Sequence, residues 1–247
     1  MDYRLIEEIS LNHWPSLSTV LYDGWVLRFA DGYTKRANCV NPIYASTLDV
    51  REKIRECENL YAAHRLPAVF KITPFVQPAH LDETLADMGY IREDTISLQL
   101  ADLERIREPR PASAVVEEDV TSRWLDSYCR FENVDDNDRT VLERLLANIA
   151  AKKGFVTFRH DDRIVACGLG VVDRAYMGIF CIVTDIHYRN RGFGEQMLLR
   201  LLQWGKANGA RYGYLQVHTK NEPALRLYAK LGFSEIYRYW YRIKQDK

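Results

Sequence analysis

The sequence has no excess of charge of either sign. Lysine and arginine together number 34, aspartate and glutamate also number 34, and the formal net charge is +0. A protein without a strong overall field is not drawn to polyanions as a whole. We therefore expect neither nucleic acid nor an anionic membrane surface among its partners.

Paired cysteines and long apolar runs are missing as well. The five cysteines form no C-x-x-C pair and have no histidine at zinc-finger spacing, which predicts reduced, mostly buried thiols: Cys39, Cys57, Cys129, Cys167 and Cys181. No run of about 18 apolar residues is present. The first residues, MDYRLIEEIS, carry carboxylates where a signal peptide has basic and then apolar residues. These absences predict a soluble, cytoplasmic protein.

What is present is enough apolar material for a folded core, with 47% hydrophobic residues in a chain of 247. In LERIREPRPASAVVEED the apolar periodicity stops, and Pro109 and Pro111 stand close together. Proline removes a backbone donor and favours extended neighbours. This predicts a linker at about residues 103–113, between an N-terminal domain (1–107) and a C-terminal domain (112–247).

The periodicity after the linker predicts the order β-α-α-β-β-β-α-β-α-β, hence an α/β fold with a mixed sheet and helices on both faces. Before the linker, GWVLRFADGYTKRANCVNP predicts a hairpin around Asp31-Gly32, followed by helix, strand, helix and strand. The segments LADMGYIRE and YAKLGFSEI align Gly89 with Gly232. This similarity suggests an internal duplication.

The stretch HYRNRGFGEQML, residues 187–198, joins a predicted strand to a predicted helix. Helix N-termini present unpaired amides, and glycines allow close approach of a ligand. With Arg189 and Arg191 nearby, this loop suits a polyanion such as a pyrophosphate. A Walker loop would need Lys-Ser/Thr after its last glycine, and a dinucleotide fingerprint a third glycine at Met197. A tight turn with solvated arginines is the alternative interpretation.

The spacing Arg189-x-x-Gly192-x-Gly194 resembles the R/Q-x-x-G-x-G/A signature of the GCN5-related N-acetyltransferases (GNAT). Downstream, the stretch from Asn221 through Tyr228 to Phe233 is similar to that family's second acetyl-CoA motif. The resemblance implies a GNAT fold in tandem with a degenerate N-terminal GNAT-like half. It also implies acetyl-CoA as co-substrate. The carboxylates of ENVDDND (132–138) could hold a metal, but we interpret them as a helix cap and an acceptor entrance and expect no metal.

The resemblance further implies site residues. Coenzyme binding falls to the strand before the signature, the signature loop and the second motif: Ile182, Val183, Thr184, Arg189, Asn190, Arg191, Gly192, Phe193, Gly194, Asn221 and Tyr228. Tyr228 is the candidate general acid, with simple packing as its alternative role. His218 and Glu132 are the candidate general bases, and either can equally be structural.

These residues predict transfer of the acetyl group of acetyl-CoA to a primary amine of a small molecule or peptide, by direct attack in a ternary complex. The alternative is an acyl-CoA-binding regulatory or scaffold protein without turnover. The acceptor, and the choice between monomer and homodimer, stay open.

The first half has Leu85 where the second has Tyr228, so we expect one coenzyme site, with Arg36 and Asn38 shaping the acceptor pocket. Since both motifs follow the linker, we expect the C-terminal part alone to bind coenzyme A.

Overall fold

A computed structural model describes residues 2–110 and 114–244 of the chain. In these ranges the helices are α1 (Tyr3–His13), α2 (Val50–Ala63), α3 (Leu81–Asp87), α4 (Ser122–Glu132), α5 (Asp136–Ala147), α6 (Phe193–Ala207) and α7 (Glu222–Lys230). The strands are β1 (Ser18–Tyr22), β2 (Trp25–Phe29), β3 (Val40–Asn41), β4 (Val69–Ile72), β5 (Tyr90–Asp102), β6 (Ala114–Glu117), β7 (Lys152–His160), β8 (Arg163–Asp173), β9 (Tyr176–Thr184), β10 (Tyr212–His218) and β11 (Ser234–Lys244).

All of these strands belong to one mixed sheet, in the order β1-β2-β3-β4-β11-β5-β10-β9-β8-β7-β6. The pairs β3–β4 and β9–β10 are parallel, and the other neighbours are antiparallel. The first half (β1 to β5) and the second half (β6 to β11) therefore meet within a continuous sheet. The predicted mixed α/β fold is confirmed.

The closing strands of the two halves are exchanged. Strand β11 lies beside β4 of the first half, with Trp240 opposite Ile72. Strand β5 lies beside β10 of the second half, with Gln99 opposite Leu215. Each half is thus completed by a strand from the other.

Helices cover both faces of this sheet, and the residues of β4 show how. Its side chains alternate: Phe70 and Ile72 pack in a core cluster with α2 and α3, whereas Lys71 forms a buried ion pair with Glu7 of α1 at 2.5 Å. In the second half, α4 and α5 share a cluster with α1. Helices α6 and α7 pack in a separate cluster with the alternate residues of β8, β9 and β10. Two faces of the sheet are therefore available to position a site.

The predicted order of elements after the linker is found, but the helix that the segment DRTVLERLLANIAAKK (138–153) predicts, α5, is shorter than expected. That helix ends at Ala147, and Lys152 and Lys153 belong to β7 instead. In the linker region, a short 3₁₀ turn (Leu103–Arg105) leads into irregular chain up to Arg110, whose amide donates to Gln196 Oε1 at 2.9 Å. The rest of the predicted linker, residues 111–113, lies outside the described ranges.

The hairpin predicted around Asp31-Gly32 is present as the antiparallel pair β2–β3, but its connection is longer than a turn. Strands β2 and β3 do pair, with Val26 opposite Asn41, but the chain between them is a long loop that contains the 3₁₀ turn Lys35–Ala37. The tight turn lies earlier, at Asp23-Gly24, between β1 and β2. Helix α1 and strand β1 were not predicted.

The cysteines are free, and four of them are buried: Cys39, Cys57, Cys129 and Cys167. Cys181 keeps intermediate exposure. The prediction of unpaired, mostly buried thiols is confirmed for these five residues. Within residues 2–110 and 114–244, no helix combines the length and the apolar character needed to cross a membrane.

Candidate functional site

Strands β9 and β10 separate part of the way along the sheet. Their parallel pairing runs from Tyr176 and Tyr212 to Ile179 and Leu215 and ends there. Beyond that point β9 stays paired with β8 as far as Thr184, and β10 stays paired with β5. The facing edges of β9 and β10 therefore diverge and leave a gap lined by backbone groups that do not pair with each other.

A β-bulge in β9 lies at the start of this gap. Opposite Gly168 the register shifts, and Cys181 has a φ of +54°, in the left-handed region that non-glycine residues seldom adopt. The indole of Trp124 on α4 donates to the Gly168 carbonyl at 3.0 Å and so anchors the strand opposite the bulge. The bulge turns the end of β9 away from β10.

The loop after β9 leads directly into the N-terminus of α6. Gly192 is the N-cap residue, with a φ of +81° and no side chain to bond the first amides. A Cβ atom on Gly192 would meet nothing within 4 Å, whereas one on Gly194 would lie 2.8 Å from the Thr184 hydroxyl. Because the first amides of a helix lack intrahelical partners, this terminus is open toward an anion. Arg189 Nε, bonded to the Thr184 carbonyl at 3.2 Å, ties the loop to the strand end.

A cleft of about 590 Å³ connects the gap and the helix terminus. It brings together most of the residues that the sequence singled out: Glu132, Ile182, Val183, Thr184, Arg189, Asn190, Gly192, Phe193, Gly194, Asn221 and Tyr228. Asn221 also caps α7, because its side-chain oxygen accepts from the Ala224 amide at 3.2 Å. The strand end, the loop and the second motif therefore share one cavity.

Tyr228 reaches this cleft from α7. Its side chain is 8% exposed, and burial raises the pKa of its phenol to about 12. No hydrogen bond from its hydroxyl is formed with any of the described residues. The phenol thus stays protonated at neutral pH and is free to donate to a ligand.

Glu132 enters the same cleft from the last turn of α4. Glu132 as a whole is exposed, but partial desolvation of its carboxyl raises the carboxyl's pKa, and the positive charge of Arg189 opposes that shift. A carboxylate with a raised pKa is a better proton acceptor near neutral pH than an ordinary glutamate.

Two of the predicted site residues do not line this cleft. His218 is held at the end of β10, where Nε2 lies 3.3 Å from Asp94 Oδ1 and Nδ1 accepts from the Lys220 amide at 3.1 Å. Both ring nitrogens are therefore engaged with protein groups. Arg191 is not among the residues that line the cleft, and its guanidinium lies 5.3 Å from the ring centre of Tyr188.

The cleft also contains Ala224 and Leu227, which belong to the second motif, and three residues that sequence reasoning missed: Tyr188, Glu195 and Pro223. Glu195, in the first turn of α6, would repel an anion if left unpaired, but it forms ion pairs with Lys230, at 2.6 Å, and Arg107. The sequence gives no signal for the Arg107 contact, because its partner lies across the linker.

The acidic stretch 132–138 acts as a helix cap where the structure describes it. Asp135 Oδ1 accepts from the Asp138 amide at 2.9 Å at the start of α5. Among residues 2–110 and 114–244, no three His, Cys, Asp or Glu side chains come together in a way that could hold a metal ion.

Comparison with known proteins assigns this architecture to a family. The family model described as "Probable histone acetyltransferase Rv0428c C-terminal" matches residues 1–242. The "Uncharacterized N-acetyltransferase YobR" of Bacillus subtilis (strain 168) is 29% identical over 248 residues, covering 99% of this chain and 99% of that protein.

Solved structures share the fold over nearly the whole chain. A GCN5-related N-acetyltransferase from Kribbella flavida has a TM-score of 0.74 at 15% identity, covering 99% of this chain and 96% of that one. A tandem GNAT protein from the clavulanic acid biosynthesis pathway has a TM-score of 0.67 at 13% identity, covering 98% and 88%. The chain belongs to the GCN5-related N-acetyltransferase family and is an acetyl-CoA-dependent N-acetyltransferase.

Proposed function

We propose that the enzyme transfers the acetyl group of acetyl-CoA directly to a primary amine while both substrates are bound. The observation that carries this proposal is the single cleft in which an uncapped helix terminus, an unpaired strand edge and the Tyr228 phenol meet. These are the parts that acetyl transfer needs: an anion cradle, backbone donors beside a carbonyl, and an acid for the leaving thiolate.

The co-substrate would be held at two of its groups, the pyrophosphate and the pantetheine arm. The open amides of Phe193, Gly194 and the following turn would bind the pyrophosphate, helped by the helix dipole. The unpaired backbone of Ile182, Val183 and Thr184 would hydrogen-bond the pantetheine arm and orient the thioester carbonyl. The absent side chain at Gly192 leaves the space that a phosphate group needs.

Tyr228 would act as general acid. When an amine attacks the thioester carbonyl, the C–S bond breaks and the sulfur leaves as a thiolate that takes a proton. The Tyr228 hydroxyl lines the cleft and has no hydrogen-bond partner among the described residues, and burial raises the pKa of its phenol, so it carries a proton at neutral pH.

Glu132 would take the proton that the attacking amine loses, directly or through water. It lines the cleft, and its raised pKa brings it nearer to the working pH of a base. We prefer it to His218, whose ring nitrogens are both committed to Asp94 and Lys220.

The test is Tyr228→Phe, which removes one hydroxyl and keeps the ring. Turnover, measured by thiol release under saturating substrates, should fall by about 10²–10⁴ fold, the usual contribution of a general acid. Acetyl-CoA affinity, measured by calorimetry, should stay within about twofold, because the ring still packs.

The matched control is Tyr212→Phe, at the opposite end of β10 beside Tyr176. This variant should keep wild-type turnover. An unchanged turnover number for Tyr228→Phe, at a pH where chemistry limits the rate, would assign Tyr228 to packing alone.

A further inference from the structure

Arg36, contributed by the first half, is a cation without a partner near the gap between β9 and β10. It lies in the 3₁₀ turn Lys35–Ala37, and its guanidinium carbon is 5.6 Å from the ring centre of Phe180. Within residues 2–110 and 114–244, its guanidinium forms neither an ion pair nor a hydrogen bond. The side chain keeps part of its surface accessible. Its N–H donors therefore remain available to a ligand.

The other cations around Arg36 are satisfied. Lys35 is paired with Glu93 at 2.7 Å and with Asp94 at 2.6 Å. Lys71 is paired with Glu7. The buried Arg28 donates to backbone carbonyls, one of them that of Arg36 itself, at 2.8 Å. Of these four cations, Arg36 is the one whose N–H donors have no protein partner within residues 2–110 and 114–244, and a bound anion would stabilise its charge.

The position of Arg36 relative to the gap fits an acceptor rather than the co-substrate. Phe180 is the first residue of β9 beyond the last pair with β10. It packs with α1, α4 and α5, whereas its neighbours Ile179 and Ile182 pack with α6. Since the phosphate end of the co-substrate would occupy the α6 side, the amine has to approach the thioester from the side on which Phe180 and Arg36 lie.

The turn that carries Arg36 is held in place from within. The Asn38 side chain, 6% exposed, accepts from the amides of Ala30 at 2.7 Å and Gly32 at 3.1 Å, and it donates to the Tyr33 carbonyl at 2.8 Å. Thr34 has a φ of +57°, a conformation that a β-branched residue adopts only when its surroundings enforce it. Arg36 is therefore preorganised for binding.

We propose that Arg36 binds the carboxylate of the acceptor, which is a small molecule that carries both an amine and a carboxylate, as amino acids do. This inference rests on the proposed acetyl transfer and names its substrate class. A guanidinium presents parallel N–H donors that match a carboxylate. One guanidinium with free donors suits a monoanion, whereas a phosphate dianion would call for a second cation with free donors beside it, and the donors of neighbouring Arg28 are already bound to carbonyls.

The experiment compares matched acceptors on the full-length enzyme by thiol release: amino acids, the corresponding carboxamides, and an aminoalkyl phosphate. After correction for the fraction of neutral amine, kcat/KM should be about 10–100 fold higher for the acid than for its amide, as for the loss of a charge-assisted hydrogen bond. Arg36→Gln should raise the KM of the acid by a similar factor and leave the KM of acetyl-CoA and the rate with the amide unchanged. Arg36→Lys keeps the charge but not the parallel donors, so its KM for the acid should lie between those of the wild type and Arg36→Gln.

Arg51→Gln is the matched control, because Arg51 is an exposed arginine of the first half paired only with Asp87 among the described residues. It should change none of these constants, and thermal unfolding should show that every variant is folded. Equal use of acid and amide by the wild type, an unchanged acid KM in folded Arg36→Gln, or a preference for the phosphate would overturn the proposal.

The proposed function can fail separately. If coenzyme A binds but no amine releases thiol, acetyl transfer to an amine is refuted. Calorimetry with coenzyme A present can then compare the binding of the amino acid with that of its carboxamide. Tighter binding of the acid that is lost in Arg36→Gln supports a carboxylate site at Arg36, and equal binding of the two overturns the site.

Discussion

The two halves treat the start of the corresponding helix in opposite ways. Helix α2 of the first half begins after Asp49, whose carboxylate accepts from the Arg51 and Glu52 amides at 3.0 Å each. Helix α6 of the second half begins after Gly192, which has no side chain to offer. The same helix position is thus filled by a built-in anion in one half and left open in the other.

The helices before the closing strands, α3 in the first half and α7 in the second, also differ in whether they contribute to a site. Two residues after the last residue of α3 and of α7 stands a glycine with positive φ, Gly89 at +85° and Gly232 at +84°. Within α3, however, Leu85 is fully buried, whereas Tyr228 in α7 directs a phenol into the cleft. The comparison shows that the same arrangement of helices and strands can either carry a coenzyme site or lack one. A few residues at the helix N-terminus and on the helix before the closing strand make the difference.

The largest effect is expected from separating the halves. A fragment of residues 112–247 lacks β5, which lies between β10 and β11, so two strand edges and part of the core would be exposed. We therefore expect circular dichroism and size-exclusion chromatography to show that the fragment is unfolded or aggregated. It should then fail to bind coenzyme A, although it contains both acetyl-CoA motifs. A fragment of residues 88–247, which retains β5, is the comparison. Cooperative unfolding of the shorter fragment would show that the exchange is dispensable.

Gly192→Asp transfers the capping of α2 to α6. The new carboxylate would occupy the helix amides and repel the pyrophosphate, so we expect coenzyme A affinity to fall by about 100-fold or more. Gly192→Asn is the neutral control, tolerates positive φ comparably, and should lose less. Equal losses in the two variants, measured by calorimetry, would attribute the effect to bulk rather than charge.

Helix α1 gives a further contrast, since it belongs to the first half but packs on the second. His13 is fully buried, its Nδ1 lies 3.0 Å from the Tyr214 hydroxyl, and burial lowers its pKa from 6.5 to about 4. The unfolded chain therefore takes up this proton first, and stability is lost as pH falls from about 6.5 to 4, by up to about 3 kcal/mol. In His13→Asn this part of the pH dependence should vanish.

The measurement for His13 is the free energy of unfolding by urea between pH 7 and pH 4. His64→Asn, at an exposed histidine of the first half, serves as control and should follow the wild-type curve. Parallel curves for wild type and His13→Asn would mean that His13 is not held neutral by burial.

The smallest effect is expected from Asp49→Ala, which uncaps α2. Loss of a helix cap costs about 0.5–2 kcal/mol, measurable by urea unfolding. The coenzyme A stoichiometry should remain one per chain, because α2 has no glycine pair and Leu85 replaces the tyrosine. Binding of a second coenzyme A would show that the cap alone keeps the first half from acting as a site.

The sequence predicted the elements that local signals define. The end of β9 at Thr184 and the start of α6 at Phe193 follow from apolar alternation and the glycine pair. Helix α1 was missed because its buried face is partly polar: Glu7, Ser10 and His13 are buried against partners far along the chain. Strand β1 was missed because most of its residues are exposed, so it lacks alternation.

Pairings that join distant parts of the chain could not be predicted. The exchange of β5 and β11 depends on contacts such as Ile72 with Trp240, to which no local pattern points. The same holds for His218, whose candidacy as a base changed only when Asp94 proved to be its neighbour. Glu132 was named from the sequence only as a second candidate base, and its position in the cleft and its raised pKa depend on packing.

The exchanged closing strands also govern when the molecule can be completed during synthesis. Strand β4 is made early, yet its neighbour β11 is the last strand of the described chain. Until β11 leaves the ribosome, one edge of β4 and one edge of β5 stay unpaired, and the other edge of β5 waits for β10. Unpaired edges invite association with other chains, and pairing between distant segments is slow. The first half therefore cannot finish folding on its own, and the nascent chain has to protect its open edges until synthesis of the second half is nearly over.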